Sequence, residues 1–384
     1  MLNRAEKVKY IGYETEANRM EFFYEVDGHP ISVLLMSKRF QFTLDPVTDK
    51  IAYYLGYSYL IDIIHMTFPK NVEVMYAPPD TQFWNFMMKH VLGEALIRWG
   101  APIKTIADIT FHSGGERPEY EVPTEATKEG VCLVPVGGGK DSVVTYELAK
   151  KKFSEVLTMS VQAPGHNWDE IAPMIKKLGC IEMFDSYEDM KFLNKYQPIT
   201  SGNAIFNYSM IALLVAREVG VSPIIFGNDK SVSNEYEYEG EMINHQFDKT
   251  SGFREMLNKF VNDYIVKGYK FESLIEDMPG SEVAKELAKY HKEGYYEHLC
   301  SCNYANIKKY THNKNGQCSD CLKCMYTYLC ICNAGDKHYA DMIFGDMSKR
   351  EDLMEELLDD KFRNDCFGDL EECTMLVKSL KEDK

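Results

Sequence analysis

Three consecutive glycines stand between an apolar run and a helical pattern in the segment VCLVPVGGGKDSVVTYELAK, residues 131–150. Gly137, Gly138 and Gly139 have no Cβ atom, so their backbone can adopt positive φ angles and approach a ligand closely. Backbone N–H groups at the start of the following helix attract anions, because they lack partners within the helix and lie at its positive end. Lys140 adds a positive charge. The segment therefore predicts an anion-binding turn.

The two residues after the lysine separate this turn from two commoner nucleotide-binding loops. A P-loop requires Ser or Thr directly after its lysine, and Asp141 stands there instead. The dinucleotide-binding fingerprint requires Gly at the position of Ser142. Asp141 and Ser142 suit the first turn of a helix, and the Ser142 hydroxyl could donate to a phosphate. A plain glycine-rich turn without a ligand remains the structural alternative.

The segment resembles the PP-loop of the ATP pyrophosphatase superfamily, S-G-G-x-D-S. Five of the six positions match, and Gly137 replaces the first serine. The resemblance implies that ATP is cleaved between its α- and β-phosphates, with Mg²⁺, and that a substrate oxygen is adenylated. It also implies that the adenine lies against the ends of the strands VLTMSV and PIIFGN. The residues expected to contact the nucleotide are Gly137, Gly138, Gly139, Lys140, Asp141, Ser142 and Asn228.

A cluster of cysteines in the C-terminal part of the chain predicts a metal site. The chain has eleven cysteines, an odd number, and the clustering of some of them indicates metal binding rather than disulfides. The expected ligands are Cys302, Cys318, Cys321 and Cys324. Four thiolates select zinc in a tetrahedral site and leave no open position, so the predicted zinc is structural.

Two alternatives to this zinc site stay open at the level of sequence. An iron–sulfur cluster also uses four thiolates. Cys300, His298 or His312 could replace the first ligand. A similar late arrangement of cysteines occurs in the deazaguanine nitrile synthases, which are PP-loop enzymes.

A polar stretch, FGNDKSVSNEYEYEGEMINHQFDKT, directly follows the fourth predicted strand of the main domain. Ligands bind at the carboxyl ends of strands in open α/β sheets, so these residues are candidates for catalysis. Any one of them could be polar only because it is solvated. His245 or Glu235 is the expected general base, and Lys249 is the alternative if burial lowers its pKa. Asp141 completes the predicted catalytic set.

The order of several short segments resembles the bacterial UDP-N-acetyl-α-D-muramoyl-L-alanyl-L-glutamate epimerases. These segments are PVGGGKDS, SNEY, INHQFDKT, SCN and CSDCLKCMYTYL, together with the QFW helix. The resemblance implies that ATP and magnesium activate the terminal L-glutamate of the UDP-muramoyl dipeptide, whose α-carbon is inverted with release of AMP and pyrophosphate. Two alternatives are another PP-loop enzyme, such as an amide, nitrile or thiol-transfer synthase, and a nucleotide-binding sensor without catalysis.

The elements that must position these residues form an alternating pattern. From residue 131 the strands VCLVPV, VLTMSV, IEMFD and PIIFGN alternate with three helical patterns. This order predicts an α/β fold with a doubly wound parallel sheet. The resemblance implies the PP-loop, HUP-like, version of that fold with a zinc-pinned helical C-terminal region.

Three domains are predicted from changes in pattern along the chain. Residues 1–125 form an α+β domain, with a hairpin at Asp27-Gly28 followed by two helices. Residues 126–250 form the ATP-binding domain, and residues 251–384 form the helical region with the cysteine cluster. The stretch 112–130 is rich in Gly, Pro and charge, and is predicted to be a linker.

Composition limits the classes of partner. The 384 residues are 45% hydrophobic and carry a formal net charge of −16, which argues against nucleic-acid binding through a broad basic surface. The opening residues are polar, and no run approaches the roughly 18 apolar residues of a membrane span. We therefore expect a cytoplasmic protein that acts on a small molecule or peptide, with neither nucleic acid nor membrane as a partner.

Overall fold

The structure is a computed structural model that describes residues 3–115, 121–162, 168–196, 204–300, 317–359 and 367–382. Cys302 and His312 therefore lie outside the described residues. The strands are β1 (Lys7–Glu16), β2 (Arg19–Val26), β3 (His29–Met36), β4 (Asn71–Val74), β5 (Thr110–Ser113), β6 (Val131–Pro135), β7 (Glu155–Gln162), β8 (Ile181–Glu188), β9 (Ile224–Phe226), β10 (Tyr236–Tyr238), β11 (Glu241–Ile243) and β12 (Phe271–Ser273).

The α-helices alternate with these strands and dominate the C-terminal part. They are α1 (Pro46–Thr67), α2 (Thr81–Trp99), α3 (Lys140–Lys152), α4 (Trp168–Lys177), α5 (Met190–Leu193), α6 (Ala204–Val219), α7 (Ser251–Tyr264), α8 (Gly280–Leu287), α9 (Leu322–Asn333), α10 (Lys337–Phe344), α11 (Glu351–Leu357) and α12 (Leu370–Glu382). Among the residues that the structure describes, none of these helices combines the length and apolar character that crossing a membrane requires.

The chain forms two compact units. The first contains residues 1–129, 182–224 and 235–271, and the second contains residues 130–181, 225–234 and 272–384. The predicted boundaries after residues 125 and 250 stay a prediction. The fold is mixed α/β, which confirms the α/β part of the predicted class.

The sheet of the first unit has the strand order β8-β3-β2-β1-β4-β5. The pairs β1–β2, β2–β3 and β3–β8 are antiparallel, whereas β1–β4 and β4–β5 are parallel. The Asp27-Gly28 step forms the predicted tight turn, since Val26 pairs with His29 and both turn residues have positive φ. The start of the predicted linker is wrong: His112 and Ser113 belong to β5 and pair with β4.

Helix α1 forms the centre of the first unit. It begins at Pro46 after Asp45, whose carboxylate accepts hydrogen bonds from the backbone N–H groups of Val47 and Thr48. Such capping satisfies donors that a helix start leaves without partners. Nearly every residue of α1 is buried, which is typical of a helix that is surrounded by protein.

A buried polar network lies in this core. The amide of Asn207 donates to the Asp62 carboxylate at 2.7 Å, and the Tyr187 hydroxyl donates to it at 3.1 Å. Asp185 is buried as well, and burial, with the nearby Asp62 charge, raises the pKa of Asp185 to about 7. Desolvation disfavours the ionised form of a carboxyl group. Two carboxyl groups are thus held in an apolar interior.

The second unit contains the strand order β12-β9-β6-β7. Strands β6 and β7 are parallel, with Val131 opposite Glu155 and Pro135 opposite Met159. Parallel neighbours need a crossover between them, and α3 provides it. The apolar run that predicts a strand buried on both faces is β6, whose first four residues are buried.

Candidate functional site

The glycine turn between β6 and α3 has the backbone that its sequence predicts. Gly138 has a φ of 85°, a conformation that side chains disfavour. A Cβ atom at Gly138 would lie 2.9 Å from Ile171 Cγ2 and 3.1 Å from the carbonyl oxygen of Cys300. The Cys300 N–H donates to the Gly138 carbonyl at 3.0 Å. At Gly137, by contrast, an added Cβ atom would meet nothing within 4 Å.

The first turn of α3 presents backbone N–H groups that no capping side chain accepts from. Gly139 is the N-cap residue, with φ −88° and ψ 170°, and provides no side-chain acceptor. The Ser142 hydroxyl donates back to the Gly139 carbonyl at 3.0 Å, so it closes the turn in this structure. These features suit an anion, because orphan N–H groups at a helix start carry partial positive charge.

The end of β9 approaches this turn closely. A Cβ atom at Gly227 would lie 2.8 Å from the backbone carbon of Asp141 and 3.0 Å from the Ser142 nitrogen. Only glycine allows the two backbone segments to approach this closely without a shift of backbone. The residue after Gly227 is Asn228, a predicted nucleotide contact, which is buried and whose carbonyl accepts from Ser273 Oγ at 2.9 Å. The carboxyl end of β9 and the start of α3 therefore meet where the sequence predicts the ligand.

Lys140 is buried and paired with two carboxylates. Its Nζ lies 2.5 Å from Asp141 Oδ1 and 3.5 Å from Asp229 Oδ2. Burial opposes the charge of Lys140, but these two carboxylates outweigh it and raise the lysine pKa above its ordinary value. Asp229 also accepts from the Ser231 N–H at 3.1 Å, which holds its carboxylate in place. The loop lysine thus offsets one of the two negative charges beside the helix start.

Three of the four predicted metal ligands are close together. Cys318 Sγ lies 3.6 Å from both Cys321 Sγ and Cys324 Sγ, and all three sulfur atoms lie within 4.8 Å of one another. Ligands on a tetrahedral zinc with bonds near 2.3 Å are about 3.8 Å apart, so the spacing fits a single ion. Thiolates of an iron–sulfur cluster bind different irons and would be farther apart. Cys302 lies outside the described residues, and Cys300 is buried beside the glycine turn.

The predicted general base belongs to the other unit. His245 follows β11, and its Nδ1 lies 3.4 Å from Oε1 of Glu94 on α2. The Tyr236 hydroxyl donates to the other carboxylate oxygen of Glu94. The Glu94 side chain is 4% exposed and the His245 side chain 18% exposed, so a buried carboxylate faces a ring that reaches solvent.

The backbone around His245 is held by a second histidine. The Asn244 N–H donates to Nδ1 of His90 at 3.1 Å. The His90 ring stacks on Phe247 at a centroid distance of 5.1 Å. Burial lowers the pKa of His90 to about 4, which keeps this ring neutral and able to accept. His90 is therefore a structural partner of the segment that carries His245.

The other candidate residues of this segment have different surroundings. Lys249 donates to Gln246 Oε1 at 2.7 Å. Asp248 is buried and accepts from the N–H groups of Ile205 and Phe206, at the start of α6. Burial raises the pKa of Asp248 despite these hydrogen bonds. Glu235 is exposed. Of the three predicted bases, His245 is the one with a buried carboxylate at its ring.

The structure groups the predicted residues into two sets. The glycine turn, Asn228 and the described cysteines belong to the second unit, and His245, Glu235 and Lys249 belong to the first. Sequence reasoning missed the pairing of Asp229 with Lys140, and it missed Glu94 entirely. Glu94 had one signal: it is an acidic residue inside the apolar helical run VLGEALIRW, where burial of a carboxylate needs a partner.

Comparison with known proteins shows the family to which the sequence of this chain is related. The family described as MurL N-terminal domain matches residues 2–274. The UDP-N-acetyl-alpha-D-muramoyl-L-alanyl-L-glutamate epimerase of Salinispora tropica is 25% identical over 264 residues, covering 65% of this chain and 55% of the relative. The protein of that name from Xanthomonas oryzae pv. oryzae is 26% identical over 222 residues, covering 56% of this chain and 47% of the relative.

A third relative of the same name, from a Micromonospora species, is 25% identical over 283 residues, covering 70% of this chain and 61% of the relative. The chain spans about half the length of the curated relatives that it matches. The family match covers more than half of this chain and includes the glycine turn, Glu94 and the His245 segment. The chain belongs to the MurL N-terminal domain family.

Proposed function

We propose that this protein is an ATP-dependent epimerase that forms AMP and pyrophosphate. Its proposed substrate is the terminal L-glutamate of UDP-N-acetylmuramoyl-L-alanyl-L-glutamate. The observation that carries the proposal is the uncapped start of α3, against which Gly138 and Gly227 allow other segments of the chain to pack closely beside Asp141. The names of the relatives support the choice of substrate.

The reaction gives ATP a chemical task. Removing the α-proton of a glutamate beside its carboxylate would place two negative charges on one enolate. Adenylation of the carboxylate acidifies the α-proton and spreads the developing charge. An epimerase without an organic cofactor therefore has a reason to use ATP.

The proposed roles in the second unit follow from the geometry of the turn. The N–H groups of Gly138 and Gly139, and those of the first turn of α3, bind the pyrophosphate portion. Asp141 holds the magnesium ion, which neutralises phosphate charge when it is bound. Lys140 limits the repulsion between Asp141 and the phosphates, because it already lies against that carboxylate. Asn228 contacts the nucleotide at the end of β9.

The proposed general base is His245, with Lys249 and Glu235 as alternatives. A base must exchange a proton near neutral pH, and histidine is the side chain whose ordinary pKa suits this task. The half-buried ring beside Glu94 supports His245, whereas the exposed Glu235 would need movement to be shielded from water. Reprotonation from the opposite face by a second acid or by water then completes the inversion.

We further propose a PP-loop, HUP-like, doubly wound sheet around the nucleotide and a structural zinc site beside it. Cys318, Cys321 and Cys324 supply three thiolates, and Cys302 supplies the fourth. The close sulfur atoms and the start of α9 directly after Cys321 support this role. Such a metal would hold the helical C-terminal region without taking part in the reaction.

The experiment combines product analysis with isotope exchange. The purified chain is incubated with ATP, Mg²⁺ and the UDP-muramoyl dipeptide in deuterated water. We expect AMP, pyrophosphate and deuterium at the glutamate α-carbon, all of which depend on the dipeptide. ADP and phosphate would overturn the PP-loop assignment. AMP and pyrophosphate without α-deuterium would favour a ligase or synthase of the same superfamily.

A further inference from the structure

Helix α2 and the hairpin β10–β11 are fastened together by several contacts in the first unit. Lys89 pairs with Glu241 at 2.7 Å, and the Tyr238 hydroxyl donates to the Ala101 carbonyl at 3.1 Å. A Cβ atom at Gly93 would lie 2.6 Å from Ile243 Cδ1, so the hairpin packs directly against the helix there. The hairpin is therefore held near its turn, through Tyr238 and Glu241, and at its open end, through Ile243.

Glu94 lies at the centre of this contact. Its carboxylate is shared between the Tyr236 hydroxyl on β10 and Nδ1 of His245, which comes two residues after β11. The Asn244 N–H is held by His90, also on α2, so the backbone next to His245 cannot move independently of the helix. Helix α2 and the hairpin segment thus bring a phenol and an imidazole to one buried carboxylate.

The chemistry of a carboxylate decides which proton the ring carries. Nδ1 of His245 lies 3.4 Å from Glu94 Oε1, a close ion-pair contact rather than a well-aligned hydrogen bond. An ionised carboxylate only accepts, so this proximity favours the neutral ring with its proton on Nδ1. The second ring nitrogen, Nε2, then has the lone pair that accepts a proton. Serine proteases use a buried aspartate beside histidine in this way, and loss of that charge leaves the wrong tautomer.

We propose that Glu94, supported by Tyr236, is a positioning residue that holds His245 with its proton on Nδ1 and directs Nε2 to act as the base. This inference rests on the proposed function in one respect: the proton that Nε2 accepts is the substrate α-proton. When the ring accepts that proton, the positive charge lies beside the buried carboxylate and is stabilised there. The proton leaves the α-carbon as the C–H bond breaks, and the electron pair stays on the activated substrate.

Glu94→Gln is the test, because the amide keeps the shape of the side chain and removes its charge. We expect kcat for α-deuterium exchange to fall about 10²- to 10⁴-fold, with a KM change of less than about twofold. Tyr236→Phe leaves the carboxylate and should lower kcat by about tenfold. Glu241→Gln is the matched control, since this exposed carboxylate joins the same hairpin to the same helix, and it should leave kcat unchanged.

A second readout does not depend on turnover. Nitrogen-15 NMR of the full chain with labelled histidine, assigned with His245→Asn, reports the tautomer of His245. We expect the Nδ1-protonated form in the unmodified protein and in Glu241→Gln, and a shift towards the Nε2-protonated form in Glu94→Gln. A structural fastening role alone would not predict this shift.

The outcomes separate the inference from the function on which it rests. An unchanged tautomer in Glu94→Gln, or kcat equal to that of Glu241→Gln, overturns the inference. Absence of α-deuterium exchange in the unmodified protein overturns the proposed function, while the tautomer measurement still tests Glu94. If Glu94→Gln fails to fold, Tyr236→Phe decides: a folded variant with unchanged kcat and tautomer contradicts the arrangement.

Discussion

The glycine turn of the second unit and the His245 region of the first unit are built in opposite ways. The proposed chemistry of the turn comes from six consecutive residues, Gly137 to Ser142, and mainly from their backbone N–H groups. The His245 region depends on side chains brought together over long distances in sequence: Tyr236 and Glu94 are 142 positions apart.

This difference explains why one region was recognised and the other only half recognised. A backbone anion site needs a strand, glycines and a helix start in succession, so all the residues that define it are neighbours in sequence. A side-chain arrangement needs a tertiary contact to complete it. The four predictions that follow test this contrast, from the largest expected effect to the smallest.

Asp141→Asn should have the largest effect, because it removes a negative charge. The backbone N–H groups of the turn supply partial positive charge and cannot replace it. We expect α-deuterium exchange and AMP formation to fall at least about 10³-fold, with an unchanged circular dichroism spectrum. Glu155→Gln is the control in the same unit, since Glu155 is an exposed residue at the start of β7. Activity retained by Asp141→Asn would mean that the turn connects β6 and α3 without binding the nucleotide.

Cys318→Ser tests whether the second unit also needs a long-range constraint. The Sγ atom of Cys318 lies 3.6 Å from the Sγ atoms of Cys321 and Cys324. We expect about one zinc per chain in the unmodified protein, little zinc in the variant, and a loss of about 3 kcal/mol in the free energy of unfolding. Metal analysis and urea unfolding measure the two quantities.

The control for the cysteine experiment is Cys180→Ser, outside the cluster. It should keep its zinc. Equal metal content in both variants would contradict the proposed site, and iron in place of zinc would revive the iron–sulfur alternative.

Asp185→Asn tests the buried polar network of the first unit through pH. The folded-state pKa of Asp185 is about 7, above the value of about 3.9 expected for an unfolded chain. Between these values the folded state binds the extra proton, so its stabilising contribution is complete below about pH 4 and is lost as pH rises to 7. The variant should therefore exceed the unmodified protein in stability at pH 8, by a few kcal/mol, and differ little at pH 4.

Urea unfolding at several pH values measures this effect. Asp108→Asn is the control, because the Asp108 side chain is 64% exposed. A pH dependence of stability that is the same in Asp185→Asn and in the unmodified protein would show that the network does not hold the proton at this residue.

The glycines themselves give the smallest and most local test. In Gly138→Ala the new Cβ atom lies at a residue with positive φ and contacts Ile171 and Cys300 closely. We therefore expect the free energy of ATP binding to weaken by about 1–2 kcal/mol. Gly137→Ala has open space and should bind ATP as the unmodified protein does. Calorimetric titration with ATP and Mg²⁺ compares them, and equal affinities would remove the backbone of the turn from the binding site.

Much of the fold could be predicted because its patterns are local. The run VCLVPV is the buried strand β6, and the helical patterns after it are α3, α4 and α6. The linker was misjudged at its start because His112 and Ser113 look polar and loop-like, whereas pairing with β4 makes them a strand. Pairing partners lie far away in sequence, so local composition could not reveal this edge of the sheet.

The candidate site likewise has features that the sequence predicts and features that only the folded chain shows. The residues 137–142, the C-x-x-C-x-x-C spacing and the family were determined by the sequence itself, since glycine freedom and thiolate chemistry belong to the residues wherever they fold. The tertiary structure alone decided that Lys140 also pairs with Asp229, that Asp185 shares a buried core with Asp62, and that His245 faces Glu94. The reason is physical: burial and the distance between charges set the state of a titratable group, and both are properties of the folded chain.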